Sequence, residues 1–148
     1  RIEHTLTINA PVSTVYAIAR KVEEFPNFMA DLKSLTVLET SPDGNRTITE
    51  WVGLIREFKM TMKWTQEDLW NNETYRDDFT LLKGDMDSMS GYWQFTEEAT
   101  NVTRFDSVLD YEYNVPLIGA MVKTIIKKKI TENLQATMEA IKRRAEEA

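Results

Sequence analysis

Two carboxylates set among large apolar side chains are the groups in this chain best placed to do chemistry. In Thr74-Tyr75-Arg76-Asp77-Asp78-Phe79, Asp77 alternates with Tyr75 and Phe79, so if those aromatics face a core the carboxylate between them does too. Buried alone it would cost several kcal/mol, and such a group is paired, protonated or wet. Glu50 alternates with Ile48 and Val52 in the same manner, although Trp51 leaves the facing of that stretch open. Two carboxyl groups in one cavity can share a proton and serve as general acid and base. The plainer alternative pairs Asp77 with Arg104 or Arg76 near a rim. Tyr75, Tyr111 and Tyr113 either donate hydrogen bonds to a carbonyl-bearing ligand or pack as amphipathic residues. His4 shares a face with Leu6 and Ile8. Without an accompanying Ser or Cys motif it reads as a core or rim histidine, not a catalytic one.

Other chemistries are excluded by what the sequence lacks. There is no Gly-rich phosphate loop, no GxSxG elbow and no Asp/His metal spacing. The absence of Cys removes disulfides, thiolate nucleophiles and zinc–cysteine sites, so no metal and no cofactor is expected. With 18 basic and 24 acidic residues the net charge is −6, which argues against a nucleic-acid surface. No apolar run approaches a membrane span, and Arg1-Ile2-Glu3-His4 lacks the core of a signal peptide. Arg in place of Met at position 1 is expected of a chain trimmed before that residue. These features predict a soluble, cytoplasmic protein whose residues 1–148 form one domain.

The elements that must position these groups follow from periodicity. Ile2 to Ile8 alternates strictly and predicts a strand; Asn9-Ala10-Pro11 ends it and opens a short helix with Val12, Val15, Tyr16 and Ala19 on one side. A second short helix is predicted to begin near Pro26, which biases Phe25 away from helix. Strands are then predicted over Leu32–Thr40, Thr47–Gly53, Phe58–Thr65, Thr74–Phe79, Met89–Phe95 and Val102–Tyr113. Turn chemistry separates them at Ser41-Pro42-Asp43-Gly44-Asn45, Asn71-Asn72, Leu82-Lys83-Gly84-Asp85 and Glu97–Asn101. From Pro116 to Ala148 apolar residues recur at Ile118, Met121, Val122, Ile125, Ile126, Ile130, Leu134, Met138 and Ile141, the stripe of a long amphipathic helix. Lys127-Lys128-Lys129 fans around that helix as a solvated face; a passing contact with an anionic membrane surface is its minority reading.

Several short signatures, taken in order, resemble a known family. They are Ala10-Pro11 with Val15-Tyr16, then Glu24-Phe25-Pro26-Asn27-Phe28, then Gly91-x-Trp93-x-Phe95, and finally Pro116-Leu117-Ile118-Gly119 before the long helix. Together they resemble the START-like, Bet v 1-like superfamily, in particular its polyketide cyclase/dehydrase and coenzyme Q-binding members. The resemblance covers essentially the whole chain. It implies an α+β helix-grip fold: a seven-stranded curved antiparallel sheet wrapped around a long C-terminal helix, with two short helices after the first strand.

Such a sheet diverges from its helix and leaves a mostly apolar pocket. Met60, Met62, Trp64, Met89, Trp93, Phe105 and Leu109 are predicted to face it from the strands, and Met121, Val122 and Ile125 from the helix. Tyr75, Asp77, Phe79 and Tyr111 complete the predicted lining. The alternative for each is plain core packing. Binding or transport of a small hydrophobic molecule (a lipid, a polyprenyl quinone or a polyketide) is the expected function. A cyclase or aromatase using Asp77, Glu50 or a Tyr is the alternative.

Overall fold

The computed structural model describes residues 1–114 and 119–148. Pro116-Leu117-Ile118, which carry part of the expected helix start, lie outside the described residues. Strand β1 (Ile2–Ile8) leads into helix α1 (Val12–Arg20), whose first amides donate to the Pro11 carbonyl. A 3₁₀ segment, Val22–Asn27, follows; it begins before Pro26 and carries that proline inside it, where the sequence predicts a helix starting there. Six strands come next: β2 (Leu32–Thr40), β3 (Arg46–Ile55), β4 (Met60–Asn71), β5 (Arg76–Gly84), β6 (Ser88–Ala99) and β7 (Val102–Glu112). Helix α2 (Ala120–Glu147) closes the described chain.

All seven strands form one antiparallel sheet in the order β1-β7-β6-β5-β4-β3-β2. Each consecutive pair from β2 to β7 is a hairpin, and β1 returns to the far edge beside β7, as the meander of alternating strands implies. Four strands run further than predicted: β3 to Ile55 and β6 to Ala99, and more markedly β4 and β5. β4 extends past Thr65 to Asn71, and β5 continues through Leu82 and Lys83 to Gly84, so the turn expected at Leu82–Asp85 lies two to three residues later, at residues 85–87.

The interior is anchored at one end. Phe25, Phe95 and Phe105 are fully buried, and burial of each contributes about 1.5–3 kcal/mol. Against them pack Val15, Tyr16 and Ala19 of α1 and Met138, Ile141 and Ala145 of α2. Polar contacts fix the same end: Lys142 Nζ donates to the Thr7 carbonyl at 2.9 Å, the Asn9 amide donates to Glu146 at 2.9 Å, and Arg144 pairs with Glu24 at 3.0 Å. The other half of α2 is held more loosely. Met121 is 77% exposed, contrary to the inward facing expected of it. The first two turns carry Met121, Val122, Ile125 and Ile126 on more than one side of the helix, and only one side can meet the sheet. Ile126 takes the buried position. Among the described residues no helix is long and apolar enough to cross a membrane.

Candidate functional site

Where the loosely held half of α2 passes over the sheet, a hollow of about 170 Å³ remains. Met62, Trp64, Met89, Trp93, Leu109 and Tyr111 of the predicted set line it from the strands. Met29, Leu32, Trp51, Gly53, Ile55 and Met86 add to the wall, and Ile130, Asn133, Leu134 and Thr137 of α2 form the roof. Trp51 and Trp64 stack at 5.6 Å with nearly parallel rings and stiffen one side. Four methionine side chains give the remainder a deformable surface. A separate depression of about 490 Å³ lies outside, between the end of β7 and α2. Its wall includes Arg1, Glu112, Lys123 and Lys127, so the apolar space is the interior one.

A second, deeper hollow of about 110 Å³ shares Trp51, Met89, Trp93, Leu109 and Leu134 with the first. Its floor is polar. The even-numbered residues of β4 face inward, and that alternation continues beyond Trp64 through Gln66 and Asp68 to Trp70. Trp64 Nε1 donates to Gln66 Oε1 at 2.8 Å, and Gln66 Nε2 donates to Asp68 Oδ1 at 2.8 Å. Asp77 on neighbouring β5 is 1% exposed, and its carboxyl lies within hydrogen-bond reach of the Asp68 carboxyl.

Two neighbouring buried carboxyl groups oppose each other's ionisation, because each already lacks water. Burial holds the Asp77 carboxyl well above the usual carboxylate range, and the charge of Asp68 raises it further. Asp68 is raised too, again by burial first, but the hydrogen bonds from Asp77 and Gln66 work against the rise. Of the two, Asp68 is the better stabilised as an anion, and Asp77 is held further toward its protonated form. Asp77 Oδ1 has no hydrogen-bond partner among the described residues, and neither do Trp93 Nε1 and Ser107 Oγ, all three buried. These groups lie on one row across the sheet, Trp70 opposite Asp77, Asp77 opposite Trp93, Trp93 opposite Ser107, and Ser107 opposite His4.

The remaining candidates are placed elsewhere. Glu50 faces away from the hollow and pairs with Lys63 at 3.7 Å, which corrects its proposed role beside Asp77. β3 has large apolar residues on both faces, and the inner face is taken by Thr49, Trp51, Gly53 and Ile55. Nor does Asp77 pair with arginine: Arg76 bonds Asp78 at 3.1 Å and Arg104 bonds Asp106 at 2.9 Å. Phe79 borders the deeper hollow. Phe105 is solid core, 4.4 Å from Phe95 and 5.3 Å from Trp93 between ring centres. Tyr75 meets Tyr16 edge-on at 5.3 Å, and Met60 lies by a surface groove beside Arg56 and Lys59. Val122 packs at the margin of the core and Ile125 is half-buried, neither lining the hollow. Of the basic run, Lys128 is exposed, while Lys129 borders the hollow and pairs with Glu57 at 3.0 Å and Glu132 at 3.3 Å. Among the described residues no cluster of acidic or histidine side chains is arranged to hold a metal.

Comparison with known proteins bears on the same geometry. A family model described as polyketide cyclase/dehydrase and lipid transport matches residues 8–138. The structure is similar to that of the protein TTHA0849 of Thermus thermophilus, with a TM-score of 0.87 and 27% identity over 97% of this chain and 95% of that one. The Zhui aromatase/cyclase of a Streptomyces species superposes with a TM-score of 0.78 at 16% identity, over 97% of this chain and 93% of that one. In sequence, the persistence and stress-resistance toxin PasT of Escherichia coli is 23% identical over 139 residues, which is 92% of this chain and 83% of the toxin.

Proposed function

We propose, from the premise that this chain belongs to the polyketide cyclase/dehydrase and lipid transport family, that it binds and carries a small hydrophobic molecule in the hollow under α2. The observation that carries this reading is the hollow itself, about 170 Å³ and walled by Met, Trp and Leu side chains. An apolar space of comparable size in another protein stays dry and takes up a single-ring guest. A guest that enters gains the contacts the facing walls do not give each other, and the methionines adjust to its outline. A longer molecule, such as a prenyl chain, extends past the shared wall of the two hollows or lifts the first half of α2. We read residues 1–148 as one domain acting in the cytoplasm.

The test is solvent extraction of freshly purified protein followed by mass spectrometry. A lipophilic species present in stoichiometric amount is the expected result, and repeatedly empty extracts count heavily against a carrier. The Asp68–Asp77 pair supports a second reading, a cyclase-type enzyme in which Asp77 is the general acid for a chain folded in the hollow. Under that reading Asp77→Asn stops turnover of the extracted compound while leaving its affinity nearly intact. Under the carrier reading there is no turnover to lose.

A further inference from the structure

Resting on the binding function above, we propose that Asp77 and Trp93 form a donor–acceptor socket that selects a guest ending in a neutral hydroxyl group, an alcohol or a phenol, and turns carboxylates away. The two side chains stand directly opposite each other on β5 and β6, so a single small group can reach both. Each is more than nine-tenths buried, and each has a polar atom without a partner among the described residues. Buried donors and acceptors are almost always satisfied, and one left open at the end of an apolar hollow marks where a guest's polar atom belongs. A hydroxyl group answers both at once: its oxygen accepts from Trp93 Nε1, and its proton is donated to the Asp77 carboxyl. The unpartnered Ser107 hydroxyl, opposite Trp93 on its other side, lies one strand further along the same row. Trp93 borders both hollows, so an apolar body in the larger one places its polar end here.

Charge decides against an acid. Two acidic side chains already share this buried site, so a carboxylate guest would bring a further acidic group among them. The groups that face the pair do not relieve it. Asp78 lies beside Asp77 on β5 and Glu67 beside Asp68 on β4, and both add negative potential. Arg20 of α1 acts from outside the hollow, where it bonds Asn45 and Asn72. Lys129 is the cation among the residues bordering the two hollows, and Glu57 and Glu132 already hold it. A fatty acid is thus a poorer guest than the corresponding alcohol.

The test is calorimetric titration of the full chain at neutral pH with naphthalene, a naphthol and a naphthoate, three guests on one ring skeleton. The naphthol is expected to bind about tenfold or more tighter than naphthalene, the increment of a hydrogen bond to an ionisable group, with the naphthoate weakest. Trp93→Phe keeps an aromatic ring and removes the donor, and should bring the naphthol-to-naphthalene affinity ratio down toward one. Asp77→Leu should do the same from the acceptor side; if that variant does not fold, Trp93→Phe decides alone. Equal binding of naphthol and naphthalene by the parent chain overturns the socket and leaves the carrier function standing, as does tightest binding of the naphthoate or a ratio that survives Trp93→Phe. Failure of all three guests to bind overturns the socket and the binding function together.

Discussion

Asp77→Asn removes a titrating group without changing the shape of the site, and the sign of its effect on stability follows from the burial of Asp77. In the unfolded chain this carboxyl titrates in the ordinary range, whereas in the fold burial and then the Asp68 charge hold it well above that range. Between those two limits the folded protein binds more protons than the unfolded one, so stability falls as pH rises through the window. Asp68, raised in the same direction, adds to the slope. Asn at position 77 carries no charge at any pH, and its amide can donate to the Asp68 carboxylate. The variant should therefore be more stable than the parent within the window, by about 1–3 kcal/mol, since each pH unit between the two limits is worth about 1.4 kcal/mol. That is a rise of about 2–4 °C in Tm per kcal/mol for a chain of this size. The difference should shrink toward zero as pH falls through the ordinary carboxylate range, below which Asp77 is protonated in both states. Urea unfolding followed by tryptophan fluorescence from about pH 4 to about pH 8 measures it. Asp78→Asn, an exposed partner of Arg76, serves as the control and should shift stability by no more than about 0.5 kcal/mol. A loss of stability in Asp77→Asn that is the same at every pH would refute the reasoning that burial raises the Asp77 carboxyl.

Two glycines give further predictions. A Cβ at Gly53 meets nothing closer than 3.7 Å and points into the hollow, so Gly53→Phe should fill it: guest affinity falls at least tenfold by calorimetry, while stability changes by less than about 1.5 kcal/mol. At Gly91 the Phe79 ring covers the site of a side chain; a Cβ there would collide with the Val108 carbonyl and lie 2.8 Å from Phe79 Cζ. Gly91→Ala should cost about 3 kcal/mol in urea unfolding, and unchanged stability would mean that the β5–β6–β7 contact is looser than described.

The order of elements and most of the inner faces are legible in the sequence because period-two alternation and turn chemistry agree strand after strand. What escapes is the polar floor. The β4 alternation reads cleanly through Met60, Met62 and Trp64, and stops being visible at Gln66 and Asp68, where inward residues are polar and hydropathy points the wrong way. Asp77 is recoverable from its neighbours, yet its partner is not, since pairing Asp68 with it depends on the β4–β5 register and the shift in it between Thr65 and Gln66. Glu50 fails for a related reason: with Ile48, Val52 and Trp51 on the two faces of β3, periodicity cannot say which face is inside. Met121 fails because an apolar stripe wider than the contact leaves the choice of facing side to tertiary packing. The hollow is a separation between layers, and side-chain periodicity carries no information about separation.

The methionines offer the most direct test of the central claim that an apolar guest enters beneath α2. Met29, Met62, Met86 and Met89 border the hollow, whereas Met121 is on the helix surface and Met138 in the packed core. In a methyl-resolved NMR titration with naphthalene, the first four ε-methyl resonances should shift together and saturate, with Met121 and Met138 unmoved. Shifts confined to Met121, or no saturable shift at the four lining methyls, would contradict a hollow that takes a guest.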